Sequence, residues 1–230
     1  MTKIGIFIPC YNVQNAIQEV LHSFSDEVLD AVNQIVTIDN CSTDDTLKTL
    51  ERIQSGDTKI GQCLMIIKNL ENYGLGGSQK IAYRYFLDND FTHFMIIHGD
   101  NQGNGNEIAT NFLDAFKKNP GADFIISSRF ITNSNISQYN LLRTLGNHFF
   151  NLLTHLLTGN KMSDSGAGIL FYRTEILNSL PFDNLTNAAQ FNPQLNILIH
   201  NIPNLNIVEI PLNWVDSEED SSLSNLNYCI

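Results

Sequence analysis

Apolar residues recur along the first half of this 230-residue chain in two alternating rhythms. Short, nearly unbroken runs over Lys3 to Ile8, Ile35 to Ile38, Cys63 to Ile67, Phe94 to Ile97 and Asp123 to Ser127 predict buried strands. Between them the apolar positions fall three or four apart. Ile17, Val20, Leu21 and Phe24 predict a helix over Ala16 to Phe24, capped by Asn15 or Asn12. Further helices are predicted from about Thr46 to Ile53 behind the cap chemistry of Ser42-Thr43-Asp44-Asp45, over Ser78 to Leu87 behind a glycine-rich turn, and over Ile108 to Phe116. Strands alternating with helices at this spacing imply an α/β fold, its mainly parallel sheet covered on both faces.

The second half is less regular. Leu141 to Leu157 predicts a strongly apolar helix, with Leu142, Leu145, Phe149, Leu152, Leu153 and Leu156 on one broad stripe. Burial in the core is the simpler expectation for that stripe; the alternative is a face dipping into a bilayer. His148 and His155 read as ordinary helix residues. A strand at Leu170 to Tyr172, a helix from Leu195 to Ile199 behind Pro193 and a last strand from Ile207 to Leu212 complete the pattern. With no internal repeat and no linker, residues 1–216 are expected to form one domain, followed by an acidic, serine-rich tail over 217–230.

Composition narrows the function. A net charge of −11 disfavours nucleic acid, whose phosphates would be repelled. No Lys or Arg follows Arg173, while Glu209, Asp216, Glu218, Glu219 and Asp220 do. Cys10, Cys41, Cys63 and Cys229 form no CxxC pair and read as reduced thiols. The first residues run straight into a strand and no apolar stretch reaches the roughly 20 residues that span a bilayer. The expectation is a cytoplasmic protein, soluble or peripheral at the inner face of the membrane.

The candidate chemistry sits where strands end. His98-Gly99-Asp100-Asn101-Gln102 follows the fourth strand and puts oxygen ligands at its carboxyl edge, where open α/β sheets bind ligands. Such a set suits Mg²⁺ or Mn²⁺, which take one or two carboxylates plus substrate phosphates. The first strand ends Ile8-Pro9-Cys10-Tyr11-Asn12, leaving Tyr11 to stack on a planar group. The second ends Ile38-Asp39-Asn40-Cys41-Ser42-Thr43-Asp44, where Asp39 is placed to accept from a base or ribose. Asn72 to Lys80 opens a helix with Gly74, Gly76 and Gly77 and places Lys80 one turn inside. An anion cradle at the helix N-terminus and close helix packing explain those glycines about equally.

Taken in order, these segments resemble the family 2 glycosyltransferases of the GT-A type, nearest to the dolichol- or polyprenyl-phosphate sugar synthases. Pro9 to Asn12 stands at the family's opening "P-x-Y-N", Asp39 to Asp44 at its "D-D-x-S-x-D", and Asn72 to Lys80 at its "N-x-G-x-G-x-A". His98 to Gln102 is similar to the branch of its metal motif written H-G-D-G-Q. Ser127 to Phe130, Asp164 to Arg173 and Val208 to Leu212 resemble "G-[ST]-R-[YF]", "D-x-x-S-G-F-R-x-Y-R" and "x-E-V-P-I".

The resemblance implies a GT-A, Rossmann-like fold and an inverting enzyme that moves a sugar from a UDP- or GDP-linked donor. The donor site would comprise Pro9, Tyr11, Asn12, Asp39, Asn40, Lys80 and Gly99. Asp100 with Gln102 would hold the metal that bridges the donor's phosphates. Arg129 and Arg143 match the positions where such synthases bind an acceptor phosphate, and Arg suits phosphate because it pairs bidentately; the alternative for each is an ion pair with a nearby carboxylate. A polyprenyl phosphate needs no general base. A glycan hydroxyl would need one, for which Asp164 is the candidate, its alternative being to order the loop around Gly166 and Gly168. Departures are His98 and Asn40 in place of acids, Leu170 in place of an arginine, and an acidic Ser217 to Leu223 where the synthases carry basic residues. They raise a second possibility, a non-catalytic nucleotide-sugar-binding protein. A nucleotidyltransferase would want a basic glycine-rich loop after the first strand, which Pro9 to Asn15 does not offer.

Overall fold

The computed structural model describes residues 2–137, 141–159 and 161–215. The acidic tail, Asp216 and Cys229 therefore lie outside the described residues. Seven strands form one sheet: β1 (Ile4–Cys10), β2 (Gln34–Asp39), β3 (Leu64–Lys68), β4 (His93–Ile96), β5 (Phe124–Ser128), β7 (Leu170–Arg173) and β8 (Ile207–Pro211), in the order β3-β2-β1-β4-β7-β5-β8. All neighbours are parallel except β7, which runs against both β4 and β5. A small parallel ribbon joins β6 (Asn135–Ser137) to β9 (Asn213–Val215).

Period-two alternation divides the core. Ile4, Ile6 and Ile8 of β1 pack to one face, with α1 (Ala16–Ser23), α2 (Asp26–Ala31), α3 (Thr46–Gln54), α4 (Lys59–Cys63) and α6 (Gly105–Lys118). Phe7 points the other way, into the aromatic cluster of α5 (Gly74–Asp88) and α8 (Phe191–His200) with Phe94, Phe124 and Tyr172. The order carries a topological switch: the chain steps from β1 to β2 to β3, then returns to place β4 on the opposite side of β1. Ligands of open α/β sheets bind at such a reversal.

Several expectations are corrected. Two short helices, α2 and α4, were not expected; α4 ends on Cys63, so β3 starts one residue later than predicted. Ser25 and Thr58 cap them by accepting from Val28 and Gly61, and such local bonds leave little trace in apolar spacing. Neither Asn15 nor Asp45 makes a side-chain cap; Asp44 instead accepts from the Thr46 amide and hydroxyl at 3.0 and 2.6 Å. Pro9 lies inside β1, because the ladder with β4 stops at Phe7 and leaves no partner for the donor that proline lacks. Pro193 sits in the first turn of α8, where that missing donor also costs nothing.

The largest correction concerns α7 (Leu141–Thr158). Its apolar stripe is not core: Leu142 is 77% exposed, Phe149 66% and Leu156 71%. The helix packs through its polar side instead, where Asn151 donates to the Ser163 carbonyl at 2.7 Å and accepts from the Ser165 amide and hydroxyl. Among the described residues, no helix is long and apolar enough to cross a membrane.

Candidate active site

Because β1, β2, β4, β5 and β8 are all parallel, their carboxyl ends share one edge. Three turns meet at the switch. Cys10 pairs with Asp39 in the ladder, and the Asn40 amide donates to the Cys10 carbonyl at 2.8 Å, which ties the β2 exit to the β1 exit. On the other side Gly99 carries the β4 turn against β1: a Cβ there would lie 3.0 Å from the Pro9 carbonyl oxygen. Gly99 therefore acts by having no side chain, and it lets Asp100 approach the crevice.

Asp39 is 1% exposed, and its Oδ1 has no hydrogen-bond partner. A buried carboxylate oxygen without a donor is costly unless a ligand supplies one. Burial, reinforced by Asp39 and Asp44, pushes the neighbouring Cys10 thiol upward and keeps it protonated. Tyr11 is half-buried beside this turn. Asp100 is exposed; its Oδ1 accepts from the Gln102 amide at 3.2 Å, and the Gln102 carbonyl in turn accepts from Val215 at 2.9 Å. His98 turns inward from the loop, with its ring edge-on to Trp214 at 5.9 Å. Its Nε2 and the Asn192 amide nitrogen lie 3.0 and 2.9 Å from where a Gly168 Cβ would be. His98 thus lines the wall of the site with Trp214 and Asn192. Among the described residues no group of three His, Cys, Asp or Glu surrounds an ion position. One exposed carboxylate with a neighbouring amide still suits Mg²⁺ or Mn²⁺, which complete their shells with phosphate and water.

Other predicted contacts serve the scaffold. Asn40 Oδ1 accepts from Asn69 and from the Tyr73 amide, both at 2.9 Å, while its amide donates to Asn72 at 2.8 Å. The residue at the family's second acid thus braces the 69–73 turn. Asn12, at φ 54°, accepts from the Thr43 amide at 2.8 Å and latches the first two turns together. Lys80 is turned to the 183–187 loop, where its ammonium donates to the carbonyls of Asp183 and Leu185 and to Asn187 Oδ1, at 3.0, 2.5 and 2.7 Å. The glycine segment forms no anion cradle. The Gly76 and Gly77 amides both donate to the Asn187 carbonyl, and a Cβ on Gly76 would meet the Thr186 carbonyl oxygen at 2.5 Å. Close packing is what those glycines provide.

Across the sheet edge, Arg129 follows β5 and forms a bidentate pair with Asp164: Nε to Oδ2 and Nη2 to Oδ1, each at 2.8 Å, with the Arg129 amide also donating to Oδ2. Asp164 is 1% exposed and the Arg129 side chain 16%. Both carboxylate oxygens of Asp164, in the loop around Gly166 and Gly168, thereby accept from Arg129. Glu209 adds to the same loop by accepting from the Ser163 amide at 3.1 Å. Arg143 stands in the first turn of α7, the helix held to this loop through Asn151.

The family model for glycosyl transferase family 2 matches residues 5–180, a span that takes in the β1, β2 and β4 turns and the Arg129–Asp164 pair. The chain belongs to glycosyl transferase family 2. It is a glycosyltransferase of GT-A architecture. A UDP-N-acetylglucosamine–dolichyl-phosphate N-acetylglucosaminyltransferase of Methanococcus voltae is 24% identical over 228 residues, covering 94% of this chain and 86% of that one. Among solved structures, glucosyl-3-phosphoglycerate synthase from Mycobacterium tuberculosis, in complex with Mn²⁺, UDP-glucose and phosphoglyceric acid, superposes with a TM-score of 0.69. It is 17% identical, covering 98% of this chain and 74% of its own. TarS 1–349 of S. aureus superposes with a TM-score of 0.61 at 17% identity, covering 94% and 60%.

Sequence reasoning missed Trp214, Asn69, Asn151 and Asn192, which wall or brace the family 2 site. Asn69, three residues before Asn72 in the glycine segment, and Trp214, two residues after the Val208 to Leu212 motif, stood near segments that the sequence marked.

Proposed function

We propose that this glycosyltransferase moves a sugar, with inversion, from a UDP- or GDP-linked donor to the phosphate of a polyprenyl phosphate. The observation that carries the reading is the juxtaposition at the switch point. An unsatisfied Asp39 oxygen lies on one side of β1 and the Asp100 carboxylate on the other, held close by Gly99. A nucleoside diphosphate fits that pair: its base or ribose donates to Asp39 beside Tyr11, and its pyrophosphate lies toward Asp100. Asp100 and Gln102 would hold Mg²⁺ or Mn²⁺, which when bound neutralises charge developing on the departing diphosphate. The Mn²⁺ and UDP-glucose bound by the mycobacterial synthase lend support.

The pairing of Asp164 with Arg129 favours an ionised acceptor over a sugar hydroxyl. A hydroxyl must lose its proton to a base, and among the described residues the buried carboxylate on this side of the site, Asp164, already accepts three bonds from Arg129. A phosphate oxygen attacks the anomeric carbon without that step. Asp164 fixes the Arg129 guanidinium, so little rotamer entropy is lost when an anion arrives. Arg143 would add a second cation. The activity of the archaeal relative toward dolichyl phosphate supports this acceptor class. On this reading the enzyme meets its acceptor at the inner face of the membrane.

The test is transfer of radiolabel from UDP- and GDP-sugars to a short-chain isoprenyl phosphate in Mn²⁺, with the anomeric configuration of the product read by NMR. A product of inverted configuration is expected. Turnover of a glycan hydroxyl acceptor, with none of any isoprenyl phosphate, would overturn the acceptor assignment. Donor binding without any transfer would favour the non-catalytic reading.

A further inference from the structure

Helix α7 wears its amphipathicity inside out. At 3.6 residues per turn, the six apolar stripe residues and Leu141, Phe150 and Leu157 fall on one half of its surface. All nine are between 38% and 77% exposed. Arg143, Asn147, Asn151 and Thr154 fall on the other half; Thr154 is buried, and Asn151 is locked to Ser163 and Ser165. That lock prevents the helix from rolling its apolar half into the core. Such a patch exceeds what monomer surfaces ordinarily leave bare.

We infer that this half-cylinder is the surface by which the enzyme rests on a lipid bilayer, with α7 lying in the plane of the interface. The inference rests on the polyprenyl phosphate reading above and adds to it the element that brings the site to the lipid. The shape of the apolar arc and the place of the helix beside the site favour a bilayer over a second protein copy. The apolar arc spans half the circumference, whereas a helix-to-helix seam needs a narrower stripe. An interfacial helix sinks its whole apolar half into the headgroup and acyl boundary. The same helix carries Arg143 and holds the Asp164 loop on its opposite side, so a chain lying along the apolar half brings its phosphate toward the arginines.

The charge pattern makes the inference specific. Interfacial helices commonly recruit anionic lipid through Lys and Arg. Here Arg143 is the one Lys or Arg in the helix, and the chain carries −11. Binding therefore comes from apolar insertion and is weakened, not strengthened, by anionic lipid.

The test is co-flotation of the full chain with phosphatidylcholine vesicles, and with vesicles in which a third of the lipid is phosphatidylglycerol. A triple variant, Leu145→Gln, Phe149→Gln and Leu156→Gln, is run beside it, with circular dichroism to show that it folds. The wild type is expected to float with neutral vesicles and less with anionic ones. The variant is expected to lose at least about tenfold in partitioning, since each change removes an inserting side chain. Its transfer to a water-soluble short-chain isoprenyl phosphate should stay unchanged. No flotation of the wild type overturns the inference, as does a lipid-free dimer, seen by light scattering, that the triple variant abolishes. If the wild type does not float yet glycosylates the soluble phosphate, docking fails and the acceptor reading stands. If it floats but glycosylates no isoprenyl phosphate, that reading fails on its own.

Discussion

Removing the Asp164 carboxylate separates two accounts of this site. In Asp164→Ala, Arg129 loses its bonds from Nε, Nη2 and the backbone amide, all within 3.2 Å. The guanidinium, 16% exposed, loses its bidentate carboxylate partner while staying largely buried. Breaking a buried pair from one side costs about 3–5 kcal/mol, and the residual exposure of Arg129 places this one near 3 kcal/mol. For a domain of this size that is a fall in Tm of roughly 6–12 °C. Urea unfolding followed by tryptophan fluorescence and circular dichroism gives the free energy. The cycle of Asp164→Ala, Arg129→Ala and the double variant gives the coupling, expected at about 2 kcal/mol or more. Transfer should fall as well, because an unfixed guanidinium no longer presents itself to phosphate. The reasoning is refuted if Asp164→Asn keeps wild-type stability and donor affinity, loses about 1000-fold in turnover and loses the alkaline rise of its pH–rate profile. That set of results belongs to a general base.

Three further outcomes follow from the same contacts. Lys80→Ala should cost about 1–2 kcal/mol of stability by freeing the 183–187 loop, yet leave the donor dissociation constant within about twofold by calorimetry. Asn40→Asp keeps two acceptor bonds but loses the donor to Asn72 and sets a charge beside Asp39, so it should destabilise by about 1–2 kcal/mol in urea. His93 is held at about 4, chiefly by burial and then by Arg173, against an ordinary 6.5. The unfolded chain takes that proton first, so up to about 3 kcal/mol of stability drains away as pH falls from 6.5 toward 4. The loss should be absent from the stability–pH curve of His93→Gln and present in the difference between the wild type and that variant.

The strands of the large sheet and most of its helices were legible because alternation and three-to-four spacing are direct imprints of burial. Pro9 and Pro193 were misread as boundaries because a missing donor matters only where the fold would have used it. Asp39 and Asp100 were visible as acids at strand ends, which is where topology concentrates ligand contacts. Lys80 and Asn40 were not legible as braces, since their partners come from segments distant in sequence or from an asparagine network without periodicity. Helix α7 misled for a related reason: a half-apolar helix has the same pattern whether its apolar side faces the core or the outside. What decided its orientation was the Asn151 bonding to Ser163 and Ser165, a polar contact that no hydropathy pattern records.

The account depends most on Asp100 and a divalent ion acting together on the donor's pyrophosphate. Isothermal calorimetry of Mn²⁺ titrated into the enzyme with a UDP- or GDP-sugar present tests this directly. A saturable heat that needs the nucleotide-sugar and vanishes in Asp100→Ala is the predicted result. Equal heats from the wild type and Asp100→Ala, or none from either with any donor, would contradict it.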